Sequence, residues 1–137
     1  MVRPTVGAQL TLTDALEQIS SSLLTLTSEG GPGSFLVISA GEIYIQFAGN
    51  VGNQRLRCES ISNQYLPDKL QMSAACVEKL ESLGFVLGGD PIENFSRTYD
   101  LPTDDYADGL ARLTARILTE VYGVAPTAEV EVHLSLE

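Results

Sequence analysis

Between residues 34 and 60 the apolar positions of the chain follow strand periodicity, and on both sides of that block they follow helical periodicity. Ser34-Phe35-Leu36-Val37-Ile38-Ser39 is apolar and rich in β-branched residues, the composition of a well-buried strand. Ala40-Gly41 turns the chain. In Glu42-Ile43-Tyr44-Ile45-Gln46-Phe47 the residues Ile43, Ile45 and Phe47 share one face, and Tyr44 and Gln46 share the other. This predicts a β-hairpin with strands over 34–40 and 42–48. After the turn residues Asn50-Val51-Gly52-Asn53, a third strand is predicted over 54–60. There Leu56 and Cys58 point inward and Arg55, Arg57 and Glu59 point outward. The expected unit is a three-stranded antiparallel meander, packed on one side and wetter on the other.

Before this block, Leu12, Leu16, Ile19, Leu23 and Leu26 recur at helical spacing, which predicts a helix over 13–26 with Thr11 or Thr13 as N-cap. Ser20-Ser21-Ser22 is poor helix material, so fraying or a kink is expected there. After the block, a second helix is predicted over 68–83. Asp68 follows Pro67 as N-cap, Leu70, Ala74, Val77, Leu80 and Leu83 face the sheet, and Gly84 ends the helix. Residues 85–87 and 95–101 flank the turn-rich Gly88-Gly89-Asp90-Pro91 and read as a second hairpin. A long helix is expected over 104–122, capped by Thr103. Its broad apolar face holds Tyr106, Leu110, Leu113, Ile117 and Val121. Asp108 with Arg112 and Arg116 with Glu120 are spaced as i,i+4 ion pairs. Residues 130–136 alternate once more, as a late strand or a tail ordered by a partner. The predicted class is α+β: an antiparallel sheet with helices packed on it, in the order α-βββ-α-ββ-α, with an extra C-terminal strand. One domain over 1–137 is expected, with residues 1–10 a loose N-terminal arm.

Composition narrows the function. With 137 residues, 44% of them hydrophobic and 19% charged, the chain is long enough and apolar enough to bury one core. Its formal charge is −10, and its eight basic residues form no run. Phosphate backbones and anionic membranes require clustered Lys and Arg, so nucleic acid and membrane surfaces are excluded as expected partners. Protein segments carrying basic residues are favoured instead. No apolar run approaches the roughly 20 residues that span a bilayer. Met1-Val2-Arg3-Pro4 lacks the apolar block of a signal peptide, so a cytoplasmic protein is expected.

The chemistry-bearing residues are few. Cys58 and Cys76 fall in different elements and not as a CxxC pair, so they read as two buried, reduced thiols. His133 is the single histidine, which leaves too few soft ligands for zinc and no base beside a nucleophile. The glycine-rich stretch over 29–34 leaves a helix and enters a strand, the reverse of a phosphate loop. Asp104, Asp105 and Asp108 are accounted for by the N-terminus of the long helix. Neither a catalytic residue nor a metal or cofactor is assigned.

Several stretches carry a resemblance: Tyr44-Ile45-Gln46-Phe47-Ala48, Glu59-Ser60-Ile61-Ser62-Asn63-Gln64-Tyr65-Leu66, Leu80-Glu81-Ser82-Leu83-Gly84-Phe85 and Asn94-Phe95. So does Ile117-Leu118-Thr119-Glu120-Val121-Tyr122-Gly123-Val124. Over about 35–124 the chain resembles the bacterial YbjN-like, or TY-Chap, group of type III secretion chaperone-like proteins. The resemblance implies a small acidic α-βββ-α-ββ-α protein, usually a homodimer, that holds an extended client on apolar patches without catalysis. Residues 130–136 depart from that order, as a strand that caps an edge or blocks the surface a client would use.

The resulting expectation is a non-enzymatic, chaperone-like module that binds a peptide or protein client by strand addition or on a sheet face. Tyr44, Gln46, Arg55 and Arg57 are the expected peptide contacts. The alternative is a regulator or scaffold that pairs with a folded partner, or with a second copy, through Tyr106, Leu110, Leu113 and Ile117 on the long helix.

Overall fold

The computed structural model describes residues 6–29, 33–49, 55–87, 94–100 and 104–136. Its elements are β1 (Val6–Thr11), α1 (Leu16–Glu29), β2 (Phe35–Ala40), β3 (Ile43–Gly49), β4 (Arg55–Ser60), α2 (Ala74–Ser82), β5 (Val86–Leu87), β6 (Phe95–Asp100), α3 (Asp104–Glu120) and β7 (Glu129–Ser135). The seven strands form one antiparallel sheet in the order β1-β7-β2-β3-β4-β6-β5.

The meander lies where alternation places it. Ile38 stands opposite Ile45, and Phe47 opposite Cys58. Leu36, Ile38, Ile45, Phe47, Leu56 and Cys58 are all buried. Gly41 closes the β2–β3 turn at φ +62°, a left-handed conformation that a side chain would strain. The helices sit on this buried face. α1 packs on β2, β3 and β7, and α3 packs along α1. Ile19, Leu23 and Leu26 of α1 join Leu110, Ile117 and Leu118 of α3 in the same core.

Five expectations change. Val6–Leu10, expected in a loose arm, belong to β1, an outer strand along β7 from Val6 opposite Leu134 to Thr11 opposite Glu129. β7 is an interior strand, with β1 on one side and β2 on the other. The serine triplet does not break α1: Ser20 donates to Asp108 at 2.5 Å, and Ser21 to the Gln18 carbonyl at 3.2 Å. Asp108 is thereby engaged by Ser20 across the helix–helix contact rather than by Arg112. Thr11 caps the turn into α1, its hydroxyl accepting from the Asp14 N–H at 3.3 Å.

The fifth change is α2. A 3-10 turn at Asp68–Leu70 replaces its expected first turn, and the helix begins after Ser73. The cause is local hydrogen bonding. Asn63 donates to the Met72 carbonyl at 3.0 Å and accepts from the Met72 N–H at 2.7 Å, which holds the chain extended. The Ser73 hydroxyl then accepts from the Cys76 N–H, as an N-cap does. Of the expected sheet-facing residues only Leu80 is fully buried, while Leu70, Val77 and Leu83 are half-buried and Ala74 is exposed. Thr103, the turn over 50–53 and residues 88–91 lie outside the described residues.

Candidate functional site

Because successive strand residues alternate faces, burying Leu36, Ile38, Ile45 and Phe47 under the helices turns a second set the other way. Phe35, Val37, Ser39, Tyr44, Gln46, Ala48, Glu59 and His133 are half-buried, and Arg57, Thr98, Glu129 and Glu131 are exposed. Among the described residues no helix covers this face. Its centre is apolar and aromatic: the Phe35 ring stacks on His133 with centroids 6.1 Å apart. Its flank at β7 is acidic.

The expected contact residues fall on or beside this face, with unequal freedom. Gln46 is half-buried opposite Glu59 and Val37. Arg57 is exposed and ion-paired to Glu59 at 3.1 Å. Arg55 stands opposite Asp100 in the β4–β6 register. Tyr44 is anchored: its hydroxyl accepts from the Asn94 side chain at 2.8 Å, and Asn94 accepts from the Ser62 N–H at 3.2 Å. The expected partner face of the long helix divides. Leu110 and Ile117 are buried in the core, Leu113 is half-buried, and Tyr106 is exposed.

A second feature was not visible in any one stretch of sequence. Behind β4, on the helix side of β6, Val77, Leu87 and Phe95 line a hollow of about 190 Å³, with Ser62, Asn63 and Gln64 also in its wall. Ser62 is buried, and its hydroxyl has no hydrogen-bond partner. Four large apolar side chains are exposed among the described residues, Tyr65, Val86, Leu87 and Tyr106. Three of them border this hollow or are sequence neighbours of its wall. The sheet ends at β5, so the outer side of Val86 and Leu87 is an edge.

The remaining polar groups serve the fold. Lys79 of α2 and Arg116 of α3 both pair with Glu120, and their hydrogen bonds, Arg116 foremost, hold its carboxyl down to about 2. Arg97 donates to the Leu83 carbonyl and lies over the Tyr99 ring, 4.5 Å from its centroid. Burial pushes Tyr99 up to about 12. Burial also pushes the Cys58 thiol far up, with the Glu59 charge adding, so it stays protonated and unreactive. Cys76, expected to be buried, is half-buried, and both cysteines are free. Among the described residues no cluster of three His, Cys, Asp or Glu side chains is placed to hold a metal, and no helix is long and apolar enough to cross a membrane.

A family profile matches the chain over residues 9–135, that of TY-Chap3, described as T3SS (YopN, CesT) and YbjN peptide-binding chaperone 3. No curated protein and no solved structure matches. The matched span is nearly the whole chain and includes β7, so the chain belongs to this peptide-binding chaperone family.

Proposed function

We propose that this TY-Chap3 member is a non-enzymatic binding module that holds an extended segment of a client protein on the open face or an edge of its sheet. The observation that carries the reading is the one-sided placement of the helices. α1 and α3 share a core with one face, and Phe35, Val37, Tyr44 and Gln46 are left partly accessible on the other. A strand laid against a sheet edge is held by backbone hydrogen bonds, which tolerate sequence variation, and apolar patches add affinity. The acidic charge of −10 favours clients with basic segments.

The position of β7 bears on where a client fits. β7 fills the edge of β2, and β1 continues the sheet beyond it, so the edges that remain are those of β1 and β5. The extra strand thus moves the edge rather than covering the face. The alternative, pairing through the long helix, has less surface to use, since Leu110 and Ile117 are already covered by the chain itself.

The test is titration of the full chain into an array of labelled unfolded segments, read by fluorescence anisotropy. Saturable binding, competed by an unlabelled segment, is the expected result. An array without saturable binding, together with no binding of a hydrophobic dye, would overturn the reading.

A further inference from the structure

We infer that the hollow between α2 and the β5–β6 hairpin is a side-chain pocket for an extended client segment that lies along β5, apolar at the pocket position and flanked by Lys or Arg. This rests on the peptide-binding reading above and gives it a place and a sequence preference.

The register sets the geometry. Leu87 stands opposite Phe95, and Phe95 opposite Ser60, so all three belong to the helix side of the sheet. Phe95 is buried at the base of the hollow, Leu87 is 54% exposed at its mouth, and Val77 faces it from α2. Val86 stands opposite Ser96 on the other side of the sheet and is 63% exposed. A strand added outside β5 alternates in the same way. Side chains on the Leu87 side enter the hollow, and the next ones lie beside Val86 over the open face. A volume of about 190 Å³ accommodates one aliphatic or aromatic side chain. Exposed apolar residues gathered around one hollow mark an interaction surface rather than random surface scatter.

The polar wall and the charge define the rest of the occupant. Asn63 is engaged with Met72 on both sides of its amide, and the Ser62 hydroxyl is buried, so the wall's polar side chains leave selection to the apolar contacts and the charged rim. Glu81 lies one turn beyond Val77, on the same stripe of α2, and is exposed, as is Glu78. The one lysine of α2, Lys79, is engaged by Glu120. The rim on the α2 side is therefore acidic, complementary to Lys or Arg flanks and repulsive to acidic ones.

The probe is a fluorescein-labelled synthetic peptide with a Leu-Thr-Leu-Thr-Leu centre and two lysines at each end, titrated with the full chain. A matched peptide with glutamates at the ends is the comparison. The wild-type chain is expected to bind the lysine-flanked peptide saturably and the glutamate-flanked one at least about tenfold more weakly, with the difference shrinking at high salt. Leu87→Glu, at an exposed position, is expected to reduce binding about tenfold or more, since it removes the apolar contact at the mouth. Ser28→Glu, at an exposed position of α1 away from both surfaces, is expected to leave it unchanged, and Val37→Glu tests the open face as the seat instead. Amide shifts in the wild-type chain should concentrate at Ser62, Val77 and Leu87, a readout that does not depend on any variant folding.

If the wild-type chain binds the probe but Val37→Glu abolishes binding and Leu87→Glu does not, the pocket is wrong and the peptide-binding reading stands. If the two peptides bind equally, the charge preference and with it the proposal fail. If neither this probe nor the segment array binds, both readings fall.

Discussion

The Tyr122 hydroxyl, just beyond the end of α3, donates to the Ile61 carbonyl at the end of β4 at 2.6 Å. The Ser60 hydroxyl lies 2.5 Å from the same Tyr122 hydroxyl oxygen, which accepts from it. One phenol therefore ties the exit of the long helix to the exit of a central strand, and burial pushes its ionisation far up. Tyr122→Phe leaves the carbonyl and the serine hydroxyl without this partner. The expected cost is about 1–3 kcal/mol, seen as a lower denaturation midpoint with an unchanged slope.

Ser62→Ala should act in the opposite direction. The Ser62 hydroxyl is buried without a partner, so its removal relieves a desolvation penalty. The variant is expected to be as stable as the wild type, or up to about 1 kcal/mol more stable, by urea denaturation. A clear loss of stability would mean that the hydroxyl is bonded after all.

The long helix offers a paired test. Leu110 is buried in the core and Tyr106 is exposed, although both lie on the same sequence stripe. Leu110→Ala should cost about 2–5 kcal/mol, whereas Tyr106→Ala should stay within about 0.5 kcal/mol. Equal and small effects in thermal melts would place the helix face outside the core.

Gly84 follows α2 at φ +93°, and a Cβ there would meet the Arg97 side chain at 3.2 Å. Arg97 in turn holds the Leu83 carbonyl. Gly84→Ala should cost about 1–2 kcal/mol from the left-handed backbone alone. Its effect should appear first as faster amide exchange at the end of α2.

Acid should loosen the α2–α3 contact before it unfolds the sheet. Glu120 is held at about 2, below its ordinary 4.5, by Arg116 and Lys79. A carboxylate whose folded pKa is depressed contributes stability above its unfolded value, and that contribution is lost as pH falls through the folded one. The window is therefore from about 4.5 down to about 2. The group is exposed, so the effect is small and shrinks further in salt. Glu120→Gln should remove this acid limb, as read by amide exchange in α2 between those pH values.

The parts legible in the sequence were those whose pattern is local. The β2–β4 meander and α3 follow from alternation and from a helical stripe, each within a short window. β1 escapes a local reading because Val6-Gly7-Ala8-Gln9-Leu10 is weak strand material whose strand partner among the described residues is β7, distant in sequence. α2 was extended too far forward because Pro67-Asp68 looks like a helix start, and only the Asn63–Met72 clasp explains the delay to Ser73. Among the site residues, the outward placement of Gln46 and Arg57 follows from period-two reading. The hollow does not, because the loop after β4, α2 and the β5–β6 hairpin each supply part of its wall. The exposed pair Val86 and Leu87 was the available signal, since apolar residues beside a glycine-rich turn gain nothing from facing water.

The place of β7 inside the sheet also has a meaning for synthesis. While the polypeptide is still emerging from the ribosome, β2 has a neighbour on one side only, and its other side waits for β7, which is made after α3. Until Glu129–Ser135 arrives, the nascent molecule carries a vacant strand position next to Leu36 and Ile38, an open edge that a member of a peptide-binding family presents before its own β7 fills it.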